Sequence, residues 1–444
     1  MPEPKRTQLT IQTERALLVS VVLSRSRIDR YDPLAEIRSL VQTAGAKVAD
    51  EMLVHRPSVH PGLYVGRGKA EEIADRCERN GIDVVVFDND LSPAQIRDLE
   101  QTVDRKVLDR SEVILDIFAA HARTAEARLQ VELAQLEYTY PRLRHMWTHL
   151  ERVAGGASTA ASAVGGIGTR GPGEKQIETD RRLVQRRVSE LKRRIAEVDR
   201  RRRREVTSRR DHFRVCLVGY TNAGKSTLMN LLTGAGVLVA DQLFATLDTR
   251  TRRWNLGDGH HALLSDTVGF ISHLPHHLVA SFRATLEEAI GADLLLHVAD
   301  ASSSQVARQI EAVDEVLDEL GCGAKDRLLL LNKLDRVSDP TVMTVLRDRH
   351  PEAIPLSAVT GDNAERLVES VLHRVRGRPV SVTLNADCAN GRLMQYLSQY
   401  ARVGECSYQG RQVTLEAVIG ENHLPALRRF GADVTVSAAS EGAG

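Results

Sequence analysis

The sequence predicts an α/β protein in which two α/β regions are separated by a long antiparallel helical hairpin and followed by a small α+β domain. Val- and Leu-rich runs alternate with amphipathic stretches near the amino terminus and again in the second half of the chain, as in parallel sheets covered by helices. Between these regions, apolar residues recur at alternating intervals of four and three along two long stretches, which is typical of paired helices. With 444 residues, the chain is long enough for several such domains.

Residues 1–110 are expected to form the first α/β region. Strand-like runs occupy residues 16–23 and 83–90, and helix-like stretches occupy residues 33–44 and 70–80. The segment between them, GLYVGRGKAEEI at residues 62–73, contains a GRGK that could belong to a phosphate-binding loop. Because it lacks the G-x-x-x-x-G-K-[ST] spacing, we interpret it as a turn that opens a helix.

Residues 111–211 are predicted to form the helical hairpin. The apolar seams consist of Leu129, Leu133, Leu136 and Tyr140 in the first arm and of Val184, Val188, Leu191, Ile195 and Val198 in the second. Residues 154–173 are rich in Gly, Ala and Ser and have no apolar periodicity, so we expect them to form the loop at the hairpin tip.

The second arm of the hairpin is strongly basic. Residues 174–214 contain sixteen Lys or Arg against eight Asp or Glu, including five consecutive arginines from Arg200 to Arg204. An excess of one sign indicates nucleic acid or another polyanion as a partner, whereas a helical face that only faces solvent usually mixes both signs. A solvated coiled-coil face is the alternative interpretation.

Residues 212–376 are predicted to form the second α/β region, and residues 380–444 the small α+β domain. Strands are predicted at residues 213–219, 261–267, 294–300, 327–333 and 353–358, and several of these are nearly continuous apolar runs, as expected for parallel strands buried on both faces. In the last domain, VSVTLN and DVTVSA are strand-like, two short strands are expected around QGRQVTLEAVI, and GRLMQYLSQYA and NHLPALRRF are helix-like.

A phosphate-binding motif follows the first strand of the second α/β region. Residues 219–226 read GYTNAGKS, which matches G-x-x-x-x-G-K-[ST] between a strand and a helix, the context that the motif requires. Its backbone N–H groups would wrap nucleotide phosphates, while Lys225 offsets their charge and the Ser226 hydroxyl binds Mg²⁺. The predicted phosphate-contacting residues are Gly219, Tyr220, Thr221, Asn222, Ala223, Gly224, Lys225, Ser226 and Thr227.

Two further segments stand in the order expected of nucleotide-dependent switches. Thr246 would close over the γ phosphate and bind Mg²⁺, Asp266 would hold Mg²⁺ through water, and the Gly269 N–H would contact the γ phosphate. The predicted contacts in these segments are Phe244, Ala245, Thr246, Leu247 and Asp248, and Asp266, Thr267, Val268 and Gly269. Lys225, Thr246 and Gly269 are the predicted catalytic residues, and Ser226, Thr246 and Asp266 the predicted Mg²⁺ ligands.

The sequence NKLD at residues 332–335 predicts that the base is guanine. A carboxylate at Asp335 can accept hydrogen bonds from N1–H and the exocyclic amine of guanine, whereas adenine lacks that amine and has no donor at N1. Lys333 would lay its aliphatic stem on the base, and Asn332 would brace the loops. The remaining predicted base contacts are Leu334, Ser357, Ala358 and Val359. The ordered motifs together predict a P-loop, Ras-like GTPase that binds GTP and GDP with Mg²⁺.

Phe270 departs from the usual switch sequence. In many GTP-hydrolysing proteins a glutamine follows Asp-x-x-Gly and its amide orients the attacking water, which a phenylalanine cannot do. We therefore expect a low intrinsic rate of hydrolysis. Our hypothesis is that Phe270 points away from the γ phosphate and that a docking partner orders the switches and the water.

Other classes of site are disfavoured. His273, His276 and His277 have no matching Cys or carboxylate pair, so we do not expect a metal centre there. The five cysteines contain no C-x-x-C pair, which argues against a zinc site or a disulfide framework and fits a reducing cytosol. The apolar run at residues 17–23 is far shorter than the ~20 residues needed to span a bilayer, so a cytoplasmic protein without a membrane partner is expected. Nothing in the sequence demands more than a monomer.

Several motifs together resemble the HflX family of translation-factor GTPases. They are GYTNAGKSTL, DQLFATLD, DTVGFI and, above all, GGIGTRGPGEKQIETDRR, and the resemblance covers nearly the whole chain. It implies binding to the large (50S) ribosomal subunit, with the hairpin and its loop reaching ribosomal RNA near the peptidyl-transferase centre. In that family the GTP-loaded protein separates stalled or idle ribosomes into subunits, typically as a stress response. The sequence departs from the family at Lys175, where Thr is more usual, and in the Ala/Ser-rich residues 154–164.

The leading hypothesis is therefore a GTPase that associates with the large ribosomal subunit, splits or recycles ribosomes, and is stimulated by the ribosome. One alternative is a regulatory GTP switch that recruits a protein or membrane partner. Another is a protein that remodels free RNA through its basic hairpin arm.

Overall fold

A computed structural model of the chain describes residues 14–23, 32–155, 172–208, 212–234, 243–244, 249–257, 259–271 and 288–437. These residues form two compact units. The first contains the described residues up to Glu205 together with Leu243, Phe244 and Ile271, and the second contains the other described residues from Val206 onward. The finer division into four domains with boundaries near residues 110, 211 and 376–380 stays a prediction.

The first unit contains a parallel sheet. Its strands are β1 (Arg15–Leu23), β2 (Lys47–Arg56), β3 (Val84–Phe87) and β4 (Lys106–Asp109), in the order β2-β1-β3-β4. The helices around this sheet are α1 (Ala35–Thr43), α2 (Arg67–Asn80), α3 (Pro93–Val103) and α4 (Arg110–His121). Strand β1 pairs on both sides, so its Val- and Leu-rich run is buried as the periodicity predicts.

The start of α2 shows whether GRGK belongs to a phosphate-binding loop or to a turn that opens a helix. The helix begins at Arg67, directly after Gly66, whose φ of 86° lies in a region that favours glycine. GRGK therefore opens a helix, as the sequence predicted.

The helical hairpin consists of α5 (Ala125–Gly155) and α6 (Pro172–Ser208). Tyr140, late in α5, accepts hydrogen bonds from Arg181 and Gln185, early in α6, and Glu132 forms a bidentate ion pair with Arg187. Contacts that run in opposite directions along the two helices confirm the predicted antiparallel pairing. None of the described helices, even these two, combines the length and apolar character needed to cross a membrane.

The buried face of α5 differs from the predicted seam. Leu129 and Leu136 are only half-buried, whereas the residues lying closest to the core are Ala127, Gln130, Val131, Leu133, Ala134 and Tyr138. The reason is that α5 packs on α3 and α4 as well as on its partner arm. The buried face of α5 is therefore wider than the seam of a helix that packs on one partner. The predicted seam of α6 holds better, since Leu191 is fully buried and its neighbours in the seam are half-buried.

The second unit is built on a six-stranded sheet in the order β10-β9-β8-β5-β7-β6. The strands are β5 (Phe213–Gly219), β6 (Arg250–Gly257), β7 (His260–Asp266), β8 (Leu294–Asp300), β9 (Arg327–Asn332) and β10 (Ile354–Pro355). The helices are α7 (Lys225–Thr233), α8 (Val306–Glu319), α9 (Pro340–Arg349) and α10 (Ala364–Arg376). All pairings are parallel except that β6 runs antiparallel to β7.

The edge strand β6 was not predicted from the sequence, and neither were β2, α3 and β4 of the first unit. From Arg253 onward the residues of β6 alternate, with Trp254 and Leu256 buried while Arg253 and Asn255 are exposed. An edge strand exposed on one face lacks the continuous apolar run of a central parallel strand. The period-two alternation was the available signal.

The small domain at the end of the second unit has the order strand, helix, strand, strand, helix, strand. The elements are β11 (Pro379–Asp387), α11 (Gly391–Tyr400), β12 (Ala401–Gln409), β13 (Gln412–Gly420), α12 (Leu424–Arg429) and β14 (Asp433–Ser437). The sheet order β12-β13-β11-β14 with antiparallel pairing is that of a split βαβ fold. The predicted small α+β domain is thus confirmed.

Candidate nucleotide-binding site

The phosphate loop connects the buried strand β5 to helix α7 in the second unit. Gly224 precedes the helix with a φ of 93°, and a Cβ at that position would strike the side chain of Asn332. Glycine is therefore required there both for the turn and for the close approach of a second motif. The turn places the N-terminus of α7, whose first N–H groups have no acceptor within the helix itself, at the carboxyl end of the parallel sheet.

Lys225 lies at the first position of α7 and is almost completely buried. Its Nζ donates hydrogen bonds to the backbone oxygens of Gly219, at 3.0 Å, and Tyr220, at 2.8 Å. Burial lowers the pKa of this ammonium group from 10.5 to about 8, and the nearby Asp266 carboxylate opposes that shift. Anionic phosphates at the loop would stabilise the charged form further.

Ser226 and Asp266 place two oxygen donors side by side. The Ser226 hydroxyl donates a hydrogen bond of 2.7 Å to Oδ2 of Asp266, which ends β7 and is fully buried. A hydroxyl and a carboxylate are the hard oxygen ligands that Mg²⁺ prefers, together with waters and phosphate oxygens. The pair therefore fits Mg²⁺ bound jointly with a nucleotide. Among the described residues there is no cluster of three His, Cys, Asp or Glu side chains that could hold a metal by itself.

Asn332, at the end of β9, joins two loops. Its Nδ2 donates to the Ala223 carbonyl at 2.8 Å, and its Oδ1 accepts from the Ala358 N–H at 2.9 Å. The phosphate loop and the loop after β10 are thereby tied to one side chain. This is the bracing geometry expected of the first residue of NKLD.

Asp335 lies close to the loop after β10. The Ser357 hydroxyl donates to Oδ1 of Asp335 at 2.5 Å and accepts from the Thr360 N–H at 3.2 Å. Ser357 is fully buried and Ala358 nearly so, whereas Val359 is exposed. The loop thus presents backbone next to the Asp335 carboxylate, and Asp335 itself is exposed and able to receive a base.

Lys333 has a partner that the sequence analysis did not identify. Its Nζ forms an ion pair of 2.7 Å with Oδ2 of Asp300, and its own backbone is left-handed with a φ of 63°. Asp300 ends β8 in register with Asn332, so it lies beside the motif across the sheet. The sequence feature that could have indicated this partner is the acidic Asp300 at the carboxyl end of a buried strand. Leu334 begins the short 3₁₀ helix that follows Lys333.

The segment after β7 is attached to the phosphate loop through its backbone. Thr267 is fully buried and donates to the Leu217 carbonyl at 2.7 Å. The Phe270 N–H donates to the Gly219 carbonyl at 3.1 Å, and the Phe270 carbonyl accepts from the Thr221 N–H at 2.7 Å. Val268 and Phe270 are both buried. The direction of the Phe270 side chain relative to a bound γ phosphate stays a prediction.

The first switch segment is described only at its start. Phe244, in the first unit, is buried with a φ of 57° and packs edge to face on Phe118 of α4, with ring centroids 4.6 Å apart. Ala245, Thr246, Leu247 and Asp248 lie outside the described residues, as do His273, His276 and His277. The catalytic and Mg²⁺-binding roles assigned to Thr246 therefore stay predictions.

Three protein families match consecutive parts of the chain. Residues 31–119 match the family described as GTP-binding GTPase N-terminal, residues 121–209 match GTP-binding GTPase Middle Region, and residues 214–333 match 50S ribosome-binding GTPase.

Relatives named GTPase HflX match most of the chain. The protein from Escherichia coli (strain K12) is 46% identical over 86% of this chain and 87% of its own length. That from Lacrimispora saccharolytica is 41% identical over 91% and 93%, and that from Caldanaerobacter subterraneus is 36% identical over 95% of each chain. Among solved structures, a GTP-binding protein from Sulfolobus solfataricus in complex with GDP is 24% identical, with a TM-score of 0.42 over 81% of this chain and 98% of its own.

Proposed function

Because the chain belongs to the HflX family of GTPases and therefore binds and hydrolyses GTP, we propose that it does so with Mg²⁺ at the site built around Lys225, in association with the large ribosomal subunit. Its role there would be to split or recycle stalled or idle ribosomes. We place this activity in the cytoplasm, carried out by a monomer without a membrane partner.

The residues of the second unit divide the work of nucleotide binding. Backbone N–H groups of the phosphate loop and the Lys225 ammonium bind the phosphates, while Asp335 accepts hydrogen bonds from the guanine edge. Ser226 and, through water, Asp266 would hold Mg²⁺, and the ion would offset the charge on the β and γ phosphate oxygens; Thr246, the third predicted ligand, lies outside the described residues. Asn332 keeps the phosphate-binding and base-binding loops at a fixed separation, because it hydrogen-bonds both.

The ribosomal part of the proposal rests on one observation above the others. Residues 214–333 match a family described as 50S ribosome-binding GTPase, in a chain whose α6 exposes a row of arginines. Arg186, Arg193 and Arg200 are all exposed on that helix. Neutralisation of phosphates by such side chains supplies most sequence-independent affinity for nucleic acid, so α6 is suited to contact ribosomal RNA.

GTP turnover measured with and without isolated large subunits tests this proposal directly. We expect large subunits to raise the rate, isolated small subunits not to, and the protein to co-migrate with large subunits in a sucrose gradient when a non-hydrolysable GTP analogue is present. Dissociation of intact ribosomes, followed by light scattering, measures splitting.

Three outcomes would contradict the ribosomal role. Absence of co-migration at low salt would remove the large subunit as the partner. Equal stimulation by naked RNA would favour an RNA remodeller instead. Stimulation or recruitment by anionic vesicles, without any effect of ribosomes, would favour the regulatory switch.

A further inference from the structure

The backbone of Phe270 is hydrogen-bonded to the phosphate loop. Its N–H and carbonyl bond to Gly219 and Thr221, and Tyr220 and Phe270 form an isolated parallel bridge. With only 3% of its surface exposed and a side chain without polar atoms, Phe270 has nothing with which to orient water. If GTP is hydrolysed at this site, as proposed above, another group must hold the attacking water.

Thr221 has a buried hydroxyl without a partner. The residue is 6% exposed, and no hydrogen-bond partner for its Oγ1 lies among the residues that the structure describes. Buried polar atoms are satisfied in the great majority of cases, so an exception at a functional loop calls for a ligand that completes it. Its neighbour Thr267 shows the ordinary arrangement, since that hydroxyl donates to a backbone carbonyl.

The surroundings of Thr221 indicate which ligand this is. A Cβ added to Gly269 would lie 2.7 Å from Thr221 Cα, 2.8 Å from Thr221 Cγ2 and 3.0 Å from Lys225 Nζ. Thr221, Gly269 and the Lys225 ammonium therefore converge on one spot, and two of the three are residues proposed to contact the γ phosphate. A γ phosphate bound by Lys225 and by the Gly269 N–H would therefore lie next to the Thr221 side chain.

We propose that the Thr221 hydroxyl performs the role of the missing glutamine amide and is a catalytic residue of GTP hydrolysis. A hydroxyl both accepts and donates, so Oγ1 can accept a hydrogen bond from the attacking water while donating its own hydrogen to a γ-phosphoryl oxygen. The water oxygen bonds to the γ phosphorus, the bond from that phosphorus to the β–γ bridging oxygen breaks, and the water proton passes to a γ-phosphoryl oxygen. Thr221 keeps its proton throughout.

This role would give a function to the Thr221 side chain in a loop whose other predicted phosphate contacts are largely made by backbone N–H groups. An amide in the following switch acts only when that switch closes, whereas Thr221 belongs to the phosphate loop and is held by its backbone bond to Phe270. Orientation of the water by Thr221 would then not depend on a side chain of the switch.

The test compares two substitutions at Thr221 with a control elsewhere. Thr221→Val keeps the shape of the side chain and removes the hydroxyl, and Thr221→Ser keeps the hydroxyl. Thr233→Val removes a hydroxyl of the same unit whose hydrogen bond, among the described residues, goes to the Met229 carbonyl within α7 at 2.7 Å. Affinity for GDP and for a non-hydrolysable GTP analogue is measured by fluorescence, and single-turnover GTP hydrolysis is measured in the presence of saturating large subunits.

We expect Thr221→Val to keep both nucleotide affinities within about threefold and to lower the single-turnover rate about 100-fold, the usual loss when one hydrogen-bonding group to the transition state is removed. Thr221→Ser should recover most of the rate, and Thr233→Val should match the unmodified protein. A merely structural threonine would instead lower nucleotide affinity together with the rate, and serine would not restore them selectively.

Four outcomes are distinguishable. Unchanged hydrolysis by Thr221→Val overturns the inference, as does an equal loss of rate in the Val and Ser variants. Loss of GDP binding by Thr221→Val overturns it too, since the residue would then serve binding. Absence of hydrolysis by the unmodified protein, with or without large subunits, would instead refute the proposed function.

Discussion

At the scale of single residues, burial disfavours the charged form of the Lys225 ammonium group, and the phosphates of a bound nucleotide would favour it. The ammonium group is buried and bonded only to backbone carbonyls among the described residues, and burial lowers its pKa to about 8. Phosphate oxygens stabilise the charged form and so raise the pKa again. Nucleotide binding and protonation of Lys225 are consequently linked.

Proton uptake on nucleotide binding measures this linkage. Above about pH 8 the nucleotide-free protein holds Lys225 mainly neutral, whereas the bound protein holds it charged, so binding takes up a proton and the affinity falls as the pH rises. Calorimetry of GDP binding at about pH 8.5, in two buffers of different ionisation enthalpy, should give an uptake of more than about half a proton. At about pH 6.5, where both states are charged, this group should contribute none, and equal uptake at the two pH values would contradict the assignment.

Guanine specificity is a second property of one residue. In Asp335→Asn, an amide replaces the carboxylate that accepts from guanine N1–H and the exocyclic amine, so preference should shift towards xanthine nucleotides, whose oxygen at that position accepts a hydrogen bond. Competition binding with GDP and xanthosine diphosphate measures the shift. Asp348→Asn, the same change at an exposed position of α9, should leave the preference unaltered. Unchanged guanine preference in Asp335→Asn would refute the base contact.

At the scale of elements, the hairpin is stabilised by its few fully buried residues and by ion pairs at its surface. Arg187–Glu132 and Lys192–Glu137 join α6 to α5, but their side chains are partly exposed and such pairs contribute little. Leu191, by contrast, is fully buried and sits within the seam. Among the described side chains of α6 it is the one that is fully buried, so its removal should cost more stability than that of the partly exposed ones.

Leu191→Ala tests this view of the hairpin. Deleting a fully buried leucine side chain should lower the free energy of unfolding of the first unit by about 2–5 kcal/mol, because a cavity replaces packed atoms. Leu183→Ala on the same helix is the matched control, since Leu183 is 57% exposed and its loss should change stability by less than about 0.5 kcal/mol. Denaturant titrations followed by circular dichroism measure both, and equal effects would show that α6 is not held by this seam.

At the scale of the whole molecule, charge is distributed unevenly while the net charge is only +1. The second arm, with sixteen Lys or Arg against eight Asp or Glu in residues 174–214, has a positive excess, and acidic residues outnumber basic ones in the rest of the chain. Such asymmetry has little effect on folding but makes association with a polyanion dependent on salt. The ribosomal proposal therefore carries a quantitative expectation.

Affinity for large subunits should fall steeply with salt, and α6 should account for part of the slope. Each lost phosphate contact reduces the slope of log K against log salt by about 0.7–0.9, so replacing Arg186 and Arg193 by Gln should reduce it by about 1.5. Both side chains are exposed. Replacing Arg347 and Arg349, exposed at the end of α9, removes the same charge elsewhere and should alter the slope less. Equal changes in the two double variants would remove α6 as the specific RNA-contacting helix.

The elements of the fold could largely be predicted because their signals are local. The runs that became β5, β8 and β9 are continuous and apolar, as burial on both faces requires. Strand β6 lies at the edge of the sheet and pairs only with β7 among the described strands, and its exposed charged residues interrupt the apolar pattern by which a strand is recognised. The buried face of α5 was predicted incorrectly for a similar reason, because the apolar periodicity of α5 does not show that the helix also contacts α3 and α4.

The sequence by itself determined the kind of site, since the motifs around Lys225, Asp266 and Asp335 follow one another in order and each has a chemical role that its residue types can perform. Parallel strands then necessarily bring their carboxyl ends to one edge. Only the tertiary structure decided which groups touch: Lys333 with Asp300, Asn332 with two loops, and the Phe270 backbone with the phosphate loop. These contacts join residues far apart in the chain, where packing rather than local pattern selects the partner. In this arrangement the Thr221 hydroxyl is buried without a hydrogen-bond partner among the described residues, which is the observation behind its proposed role.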